Sequence, residues 1–431
     1  MAIRRFYTSQ AGFSEAFGAF LQTRRMNTGV DVHAAVAAIV TDVRQRGGAA
    51  VVDYTQQFDR LELAADTLSS PAVDLEALAH ACPDDVRQAI DFSAERIRDY
   101  HIRQTPQDHM HRDPLGVELG WRWSALDSVG LYVPGGRASY PSSVLMNALP
   151  AKVAGVPRIV MTAPAPDGVL NPAVAYAALQ SGVSEFYPIG GAQAVAALAY
   201  GAGPLHPVDK IVGPGNAYVA AAKRIVFGDV GIDTVAGPSE VTVVADGAND
   251  PDWIAADLLS QAEHDPLAQS ILITDDEAFA DRVLAAVDAQ LHTLATREVA
   301  TQSWRTFGAV VIAPLDEAAE IVNSIAPEHV EIATSDPDAV AARIRHAGAI
   351  FLGRWAPEPL GDFVTGSNHV LPTSGAARFA SGLSLLDFMK RTSVQRVPEA
   401  AFGVLADAAE TLARAERLPA HGLSLSVRRR S

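Results

Sequence analysis

Four short stretches carry side chains whose types and spacing suit chemistry. In Gln261-Ala-Glu-His264 the amide and the imidazole stand three residues apart. Side chains at that spacing share a helix face, so the pair can offer an oxygen and a nitrogen to a cation. Asp257, Glu263 and Asp265 add local negative charge in favour of one. Pro327-Glu328-His329 follows an expected helix that ends at Ser324-Ile325. Neighbouring side chains diverge, so Glu328 and His329 read as two separate acid–base groups, one tunable by burial and one titrating near neutrality. A surface turn with two polar residues is the plain alternative. Asp362, Asn368 and His369 fall within Leu360-Gly-Asp-Phe-Val-Thr-Gly-Ser-Asn-His369, a loop suited either to a polar binding site or to an Asx-turn network. Glu416-Arg-Leu-Pro-Ala-His421 places a carboxylate and an imidazole near the C-terminus.

Two glycine turns suggest a ligand crevice. Val133-Pro-Gly-Gly-Arg137 and Val212-Gly-Pro-Gly-Asn216 each follow an apolar run and precede a helical one. Glycine permits close backbone approach, and a helix N-terminus attracts anions. Neither turn spells G-x-G-x-x-G, so the standard dinucleotide fingerprint is absent. Two such turns at the carboxyl ends of strands in one sheet point to a ligand crevice rather than to turn geometry alone.

The elements that must position these residues alternate. Residues 10–104 read as mainly helical, with Asp31 as an expected N-cap, a helix over Asp84–Tyr100 and a short strand within Leu61–Val73. From about residue 110 the rhythm becomes strand and helix. Strands are expected from Ser128, Arg158, Glu185 and Lys210, and in a second block from Glu240, Ser270, Ala309 and Gly348. Helices are expected at Asp250–His264, Asp276–Leu294, Leu315–Ile325 and Asp338–His346 in that block, and at Pro398–Arg417 near the end. This is the pattern of mainly parallel sheets with helices on both faces, in two related α/β units.

Bulk properties narrow the function class. The chain has 431 residues, 48% of them hydrophobic, and a formal charge of −16. The length calls for more than one domain, and the acidity disfavours nucleic acid as the partner. The basic cluster Arg428-Arg429-Arg430 reads as a solvated tail. A single cysteine, Cys82, precludes an internal disulfide, and its setting offers nothing to stabilise a thiolate. The opening residues lack the apolar run of a signal peptide, and no stretch reaches membrane-spanning length, so a cytoplasmic protein is expected.

Taken together and in order, these stretches resemble the histidinol dehydrogenase family over nearly the whole chain. The most specific segments are Gly130-Leu-Tyr-Val-Pro-Gly-Gly, Val212-Gly-Pro-Gly-Asn, Ala236-Gly-Pro-Ser-Glu, Gln261-Ala-Glu-His264, Ala326-Pro-Glu-His329, and Gly361-Asp362 with Asn368-His-Val-Leu-Pro-Thr373. The resemblance implies an NAD-dependent, four-electron oxidation of L-histidinol through L-histidinaldehyde to L-histidine. It implies zinc held by Gln261, His264, Asp362 and His421, orienting the substrate. It implies His329 as general base, Glu328 as the activator of water, and Tyr132, Gln193 and Asn216 as NAD contacts. Ser239, Glu416 and His369 are implied around the substrate, beside the ligands and His329.

The fold implied is two related, incomplete Rossmann-like domains. Residues 1–108 with 239–376 form the first, including the helical N-terminal part, and 109–238 form the second, with the NAD crevice. A segment from 377 to 431 is expected to reach the partner of a homodimer, bringing Glu416 and His421 into the partner's site. Val235 stands where the family's wording has a proline. A paralogous zinc and NAD dehydrogenase acting on a sulfonated propanediol is the nearest competing reading, and Glu416 disfavours it, because a sulfonate needs a cation. A binding protein without activity and a metal-dependent hydrolase are further competitors, disfavoured by the Glu328–His329 pair and by the glycine turns.

Overall fold

The computed structural model describes residues 3–26, 32–64, 66–135, 140–235 and 237–429. The expected N-cap Asp31, the second half of the first glycine turn (Gly136 and Arg137), Ala236 and Arg430 lie outside them. In chain order the strands are β1 (Arg4–Tyr7), β2 (His109–Arg112), β3 (Glu118–Ala125), β4 (Ser128–Tyr132), β5 (Arg158–Thr162), β6 (Glu185–Tyr187) and β7 (Lys210–Val212). They continue with β8 (Gly231–Ile232), β9 (Glu240–Ala245), β10 (Gln269–Thr274), β11 (Ala309–Ile312), β12 (His329–Ala333), β13 (Ala349–Leu352) and β14 (Met389–Arg396).

Two of the three sheets are parallel. The larger runs β1-β11-β10-β9-β12-β13 and the smaller β6-β5-β4-β7-β8. With β1 set aside and strands counted from β9 in one sheet and from β4 in the other, both have the order 3-2-1-4-5. That is the doubly wound Rossmann order stopping one strand short. The reversal of strand order falls between β9 and β12 in the larger sheet and between β4 and β7 in the smaller.

The sequence of the central strands explains their place. β9 (EVTVVA) and β10 (QSILIT) are buried at every position, which a parallel sheet covered on both faces demands. Alternation splits their side chains between two cores. Val241, Val243 and Ala245 meet Leu258, Phe279 and Trp304 on one face, whereas Val244, Ile271 and Ile273 meet Phe17, Phe20 and Ile325 on the other. Truncating a residue such as Phe279 to alanine costs about 3–5 kcal/mol.

The chain forms two compact units, one of residues 1–104 and 127–388 and one of residues 105–126 and 389–431. The first holds both parallel sheets. The second holds the antiparallel sheet β14-β3-β2 and the helices Glu399–Ala415 and Pro419–Ser426. Residues 109–125, expected within the second α/β domain, instead form the antiparallel sheet with β14, and the C-terminal segment of that unit begins at Met389 rather than at 377.

Other elements also depart from expectation. Residues 61–73 hold an isolated bridge between Ala64 and Ser69 where a strand was expected, because Leu68 turns the chain back with φ 50°. The helix carrying Gln261 stops at Ala262, so His264 stands just beyond it, since Pro266 disfavours a helical Asp265. The helix expected to His346 ends at Ala341. No helix among the described residues is long and apolar enough to cross a membrane.

Candidate active site

The acid–base pair sits at the amino edge of the larger sheet. The Leu315–Ile325 helix ends on Ala326 at φ 53°, and β12 begins at His329 beside β9, with His329 level with Val241. Glu328 and His329 thereby face one residue, Glu240, whose peptide groups hold both. Its N–H donates to Glu328 Oε2 at 3.0 Å, and its carbonyl accepts from His329 Nδ1 at 3.0 Å. A Cβ at Gly348 would lie 2.6 Å from the Glu328 carbonyl, so only glycine lets β13 close on this turn. Far from being a surface turn, Glu328 and His329 are both buried.

The hydrogen bonds define roles. A carbonyl only accepts, so His329 carries its proton on Nδ1 and leaves the Nε2 lone pair free. Nε2 has no hydrogen-bond partner in the protein and lies 3.7 Å from Asp362 Oδ1. Burial holds the His329 pKa down at about 3, with His264 and His369 adding to the effect, so the ring is neutral at physiological pH. Burial, then repulsion from Glu240, raises Glu328 well above the usual carboxylate range. A carboxylate so placed is a strong base once ionised.

Arg24 braces this edge. It pairs with the Glu240 carboxylate in the interior and donates to the Pro238, Ser239 and Leu267 carbonyls. Ser374 N–H caps the same carboxylate at 2.8 Å. The sequence did carry a signal for it. Phe17, Phe20 and Arg24 fall on one face of the Phe13–Met26 helix, and an arginine on a buried face needs a partner.

Asp362 arrives from the short Glu358–Phe363 helix. Glu358, four residues earlier and missed in the sequence, shares its face and approaches His329 Nδ1 at 3.5 Å. Its N–H donates to Glu331 at 2.6 Å. Burial raises Asp362 to about 7, Asp257 to about 6, and Glu331 and Glu358 well above the usual range. Helix Asp84–Ile102 pins the following loop through Ser93 and Arg96, which bond the carbonyls of Phe363, Val364 and Thr365. Asn368 is structural, donating to the Met146 carbonyl at 2.6 Å. His369 Nδ1 bonds the Asp362 carbonyl at 3.1 Å, and its Nε2 lies 3.4 Å from Ser143 Oγ.

Several polar atoms here lack protein partners. Gln261 is fully buried with neither amide atom hydrogen-bonded, and Glu358 Oε2 is likewise unpartnered. Such orphans call for a ligand or an ion. His264 is exposed, joined to Gln261 by a 3.3 Å backbone bond, and when protonated it would repel a proton on His329 or His369. One nitrogen and two carboxylate oxygens of His329, Glu358 and Asp362 lie within 4.8 Å of one another. Of the expected ligands, Asp362 belongs to this cluster. Ser239 directly precedes Glu240. Glu416, just past the Glu399–Ala415 helix, and His421, in the helix Pro419–Ser426, are exposed residues of the other compact unit.

The glycine crevice lies at the carboxyl edge of the smaller sheet. Tyr132 ends β4; its hydroxyl accepts from Gly191 N–H at 3.1 Å, and burial pushes its pKa up to about 12. Gln193 is buried with Oε1 unpartnered. Asn216 caps the Ala217–Val226 helix by accepting from the N–H groups of Tyr218 and Val219 at 3.0 and 3.2 Å. Asp59, also missed in the sequence, is buried, holds an unpartnered Oδ2 and acts electrostatically on Tyr132. The helix Pro141–Ala154, which follows β4, touches the His369 loop through Ser143 and Met146, so crevice and acid–base pair share a wall.

Comparison with known proteins agrees with this arrangement. The family model described as histidinol dehydrogenase matches residues 22–429. The histidinol dehydrogenase of Caulobacter vibrioides is 61% identical over 99% of both chains, and that of Rhizobium meliloti is 58% identical over 99% of this chain and 98% of its own. A crystal structure of histidinol dehydrogenase from Elizabethkingia anophelis superposes with a TM-score of 0.92 at 34% identity, covering 99% of this chain and 98% of its own. The chain belongs to the histidinol dehydrogenase family.

Proposed function

We propose that this protein oxidises L-histidinol to L-histidine through L-histidinaldehyde, consuming two NAD and one water. The observation that carries this reading is the Glu240 peptide, which holds a carboxylate and a neutral imidazole side by side with His329 Nε2 left open. In the first half, His329 Nε2 takes the hydroxyl proton as the carbinol carbon loses hydride. In the second, Glu328 takes a proton from the water that adds to the aldehyde carbon. The hydrate then loses its hydride, and a hydroxyl proton passes to His329, leaving the carboxylate. No covalent enzyme intermediate is needed, which fits the buried Cys82, whose pKa burial pushes up.

Gln261, His264 and Asp362 are the residues of the larger unit that would hold zinc, with His421 as the fourth ligand. The unpartnered Gln261 amide and the raised Asp362 carboxyl both gain from a cation, and two oxygens with two imidazoles form a zinc-type donor set. Tyr132, Gln193 and Asn216 would line the NAD crevice. When bound, NAD would accept the two hydrides and zinc would orient the substrate. Ser239, His369 and Glu416 complete the substrate pocket.

The ligand His421 and the carboxylate Glu416 stand on the smaller unit, beside exposed apolar residues such as Val404, Leu412 and Leu423. That placement supports a homodimer in which each site is completed by the partner. Turnover of L-histidinol tests the reading. We expect two NADH per L-histidinol and loss of turnover after chelation. Turnover of a sulfonated propanediol with none of L-histidinol would overturn it.

A further inference from the structure

At the base of the glycine crevice lies an ion pair that the chemistry above does not use. Lys223 and Asp233 contact each other with side chains only 2% exposed. They also grip the two peptide groups of one residue. Lys223 Nζ donates to the Gly213 carbonyl at 3.0 Å, and Gly213 N–H donates to Asp233 Oδ2 at 2.8 Å. Gly213 opens the Gly213-Pro-Gly-Asn216 turn with φ 116°, and a Cβ there would lie 2.1 Å from the Tyr132 carbonyl. The pair therefore fixes the residue at which β7 comes closest to the end of β4, where the strand order reverses.

The two partners reach Gly213 from different elements. Lys223 rides the helix that Asn216 caps, and Asp233 follows β8, with its own N–H bonded to the Ile211 carbonyl at 3.2 Å. The last turn of that helix and the strand β8 are thus cross-linked through the Gly213 turn. For stability alone such a pair has little to recommend it. Desolvating two charges is costly, and apolar residues of similar size serve as well. What apolar residues cannot do is hold both the N–H and the carbonyl of a glycine whose torsions are otherwise free.

We infer that Lys223 and Asp233 are positioning residues that lock the Gly213–Asn216 turn in its dinucleotide-binding shape and thereby set the affinity for NAD and NADH. The inference rests on the reading of this crevice as the NAD site. Pre-organisation of this kind lowers the cost of binding without contact with the reacting atoms.

The test uses the zinc-loaded enzyme and the variants K223M, D233N and the charge-neutral K223M/D233L. Readouts are NADH affinity by fluorescence titration, KM and kcat for NAD, and thermal unfolding. We expect the NADH Kd and the KM for NAD to rise about tenfold, with kcat at saturating NAD within about twofold. In K223M/D233L the melting temperature should recover towards that of the parent while the Kd stays high. A purely structural role predicts the reverse, affinity recovering together with stability, and that result overturns the proposal. If a single variant does not fold, the double variant decides. Asn216→Ala separates the two levels of the argument. Weaker NADH binding in Asn216→Ala with none in the clamp variants sinks the clamp alone. NADH binding unchanged in all of them sinks the crevice as NAD site, and the clamp with it.

Discussion

The two parallel sheets share one strand order and use opposite edges of it. In the smaller sheet the crevice lies where doubly wound folds place ligands, outside the carboxyl ends at the reversal of strand order, between Tyr132 and Asn216. In the larger sheet the equivalent place is bridged. The Asp246 carboxylate after β9 accepts from Ser335 N–H after β12 at 2.7 Å, and Asn249 donates to the Ala333 carbonyl beside it. Asn249 Oδ1 and Thr334 Oγ1 keep no protein partner there, yet the bonds run straight across the reversal. The proposed chemistry lies at the other end, where Glu240, Glu328 and His329 stand at the starts of β9 and β12.

The amino edge of the smaller sheet shows what an idle edge looks like. Asp209 accepts from the N–H groups of Asp127 and Ser128, and Arg158 binds Glu185 together with the carbonyls of His206 and Pro207. At the amino edge of the larger sheet, Gln261, His329 Nε2 and Glu358 Oε2 are left unmet. Strand order nominates two edges in each sheet, and the balance of cross-links against orphaned polar atoms separates the working edge from the structural one.

Substitutions at the two ends of the larger sheet probe this contrast. The largest effect belongs to the amino edge. His329→Ala should slow single-turnover oxidation of L-histidinol about 10²- to 10⁴-fold. Glu328→Gln should spare alcohol oxidation and stop at the aldehyde, halving the NADH formed per substrate. Equal loss of both oxidations in Glu328→Gln would contradict the division of labour. At the bridged carboxyl edge, Asp246→Ala should cost about 1–3 kcal/mol in denaturant unfolding and leave the KM for NAD unchanged. A raised KM would show that this edge is not merely structural.

A further effect is one of pH. In chelated protein burial raises Asp362 to about 7 and holds Glu328, Glu331 and Glu358 well above the usual carboxylate range. Above about pH 7.5 the carboxyls of an unfolded chain are ionised and its imidazoles largely neutral. These folded carboxyls still hold protons, so their stabilisation is complete only below the unfolded pKa and is lost as pH rises through the folded one. Stability of the chelated protein should therefore fall from pH 7.5 to 8.5 by about 1.4 kcal/mol per pH unit for each proton still held. A stability that rises across that window contradicts the assignment.

The sequence was legible where one local pattern suffices. Buried parallel strands read as apolar runs, so β4, β5, β9, β10 and β11 were expected close to their positions. Asp250 heads the helix of Gln261 as its cap, accepting from Asp252 N–H at 2.9 Å. β12 was hidden because it opens on a histidine and carries Glu331, polar groups satisfied only by residues distant in sequence. The strands of the antiparallel sheet are half-exposed or exposed and lack an apolar run. Among site residues, Gln261, Glu328, His329 and Asp362 stood out as motif members and Arg24 was signalled by its place on a buried helix face, whereas Glu240 and Glu358 matter through long-range contacts that no spacing announces.

The separation of edges is tested most directly by zinc-edge anomalous diffraction from crystals of the enzyme with zinc and NADH. The account predicts an anomalous peak bound by Gln261, His264 and Asp362, with the dinucleotide against Tyr132 and Asn216. A peak held by His329, Glu358 and Asp362 without Gln261, or a dinucleotide lodged beside Asp246, would contradict it.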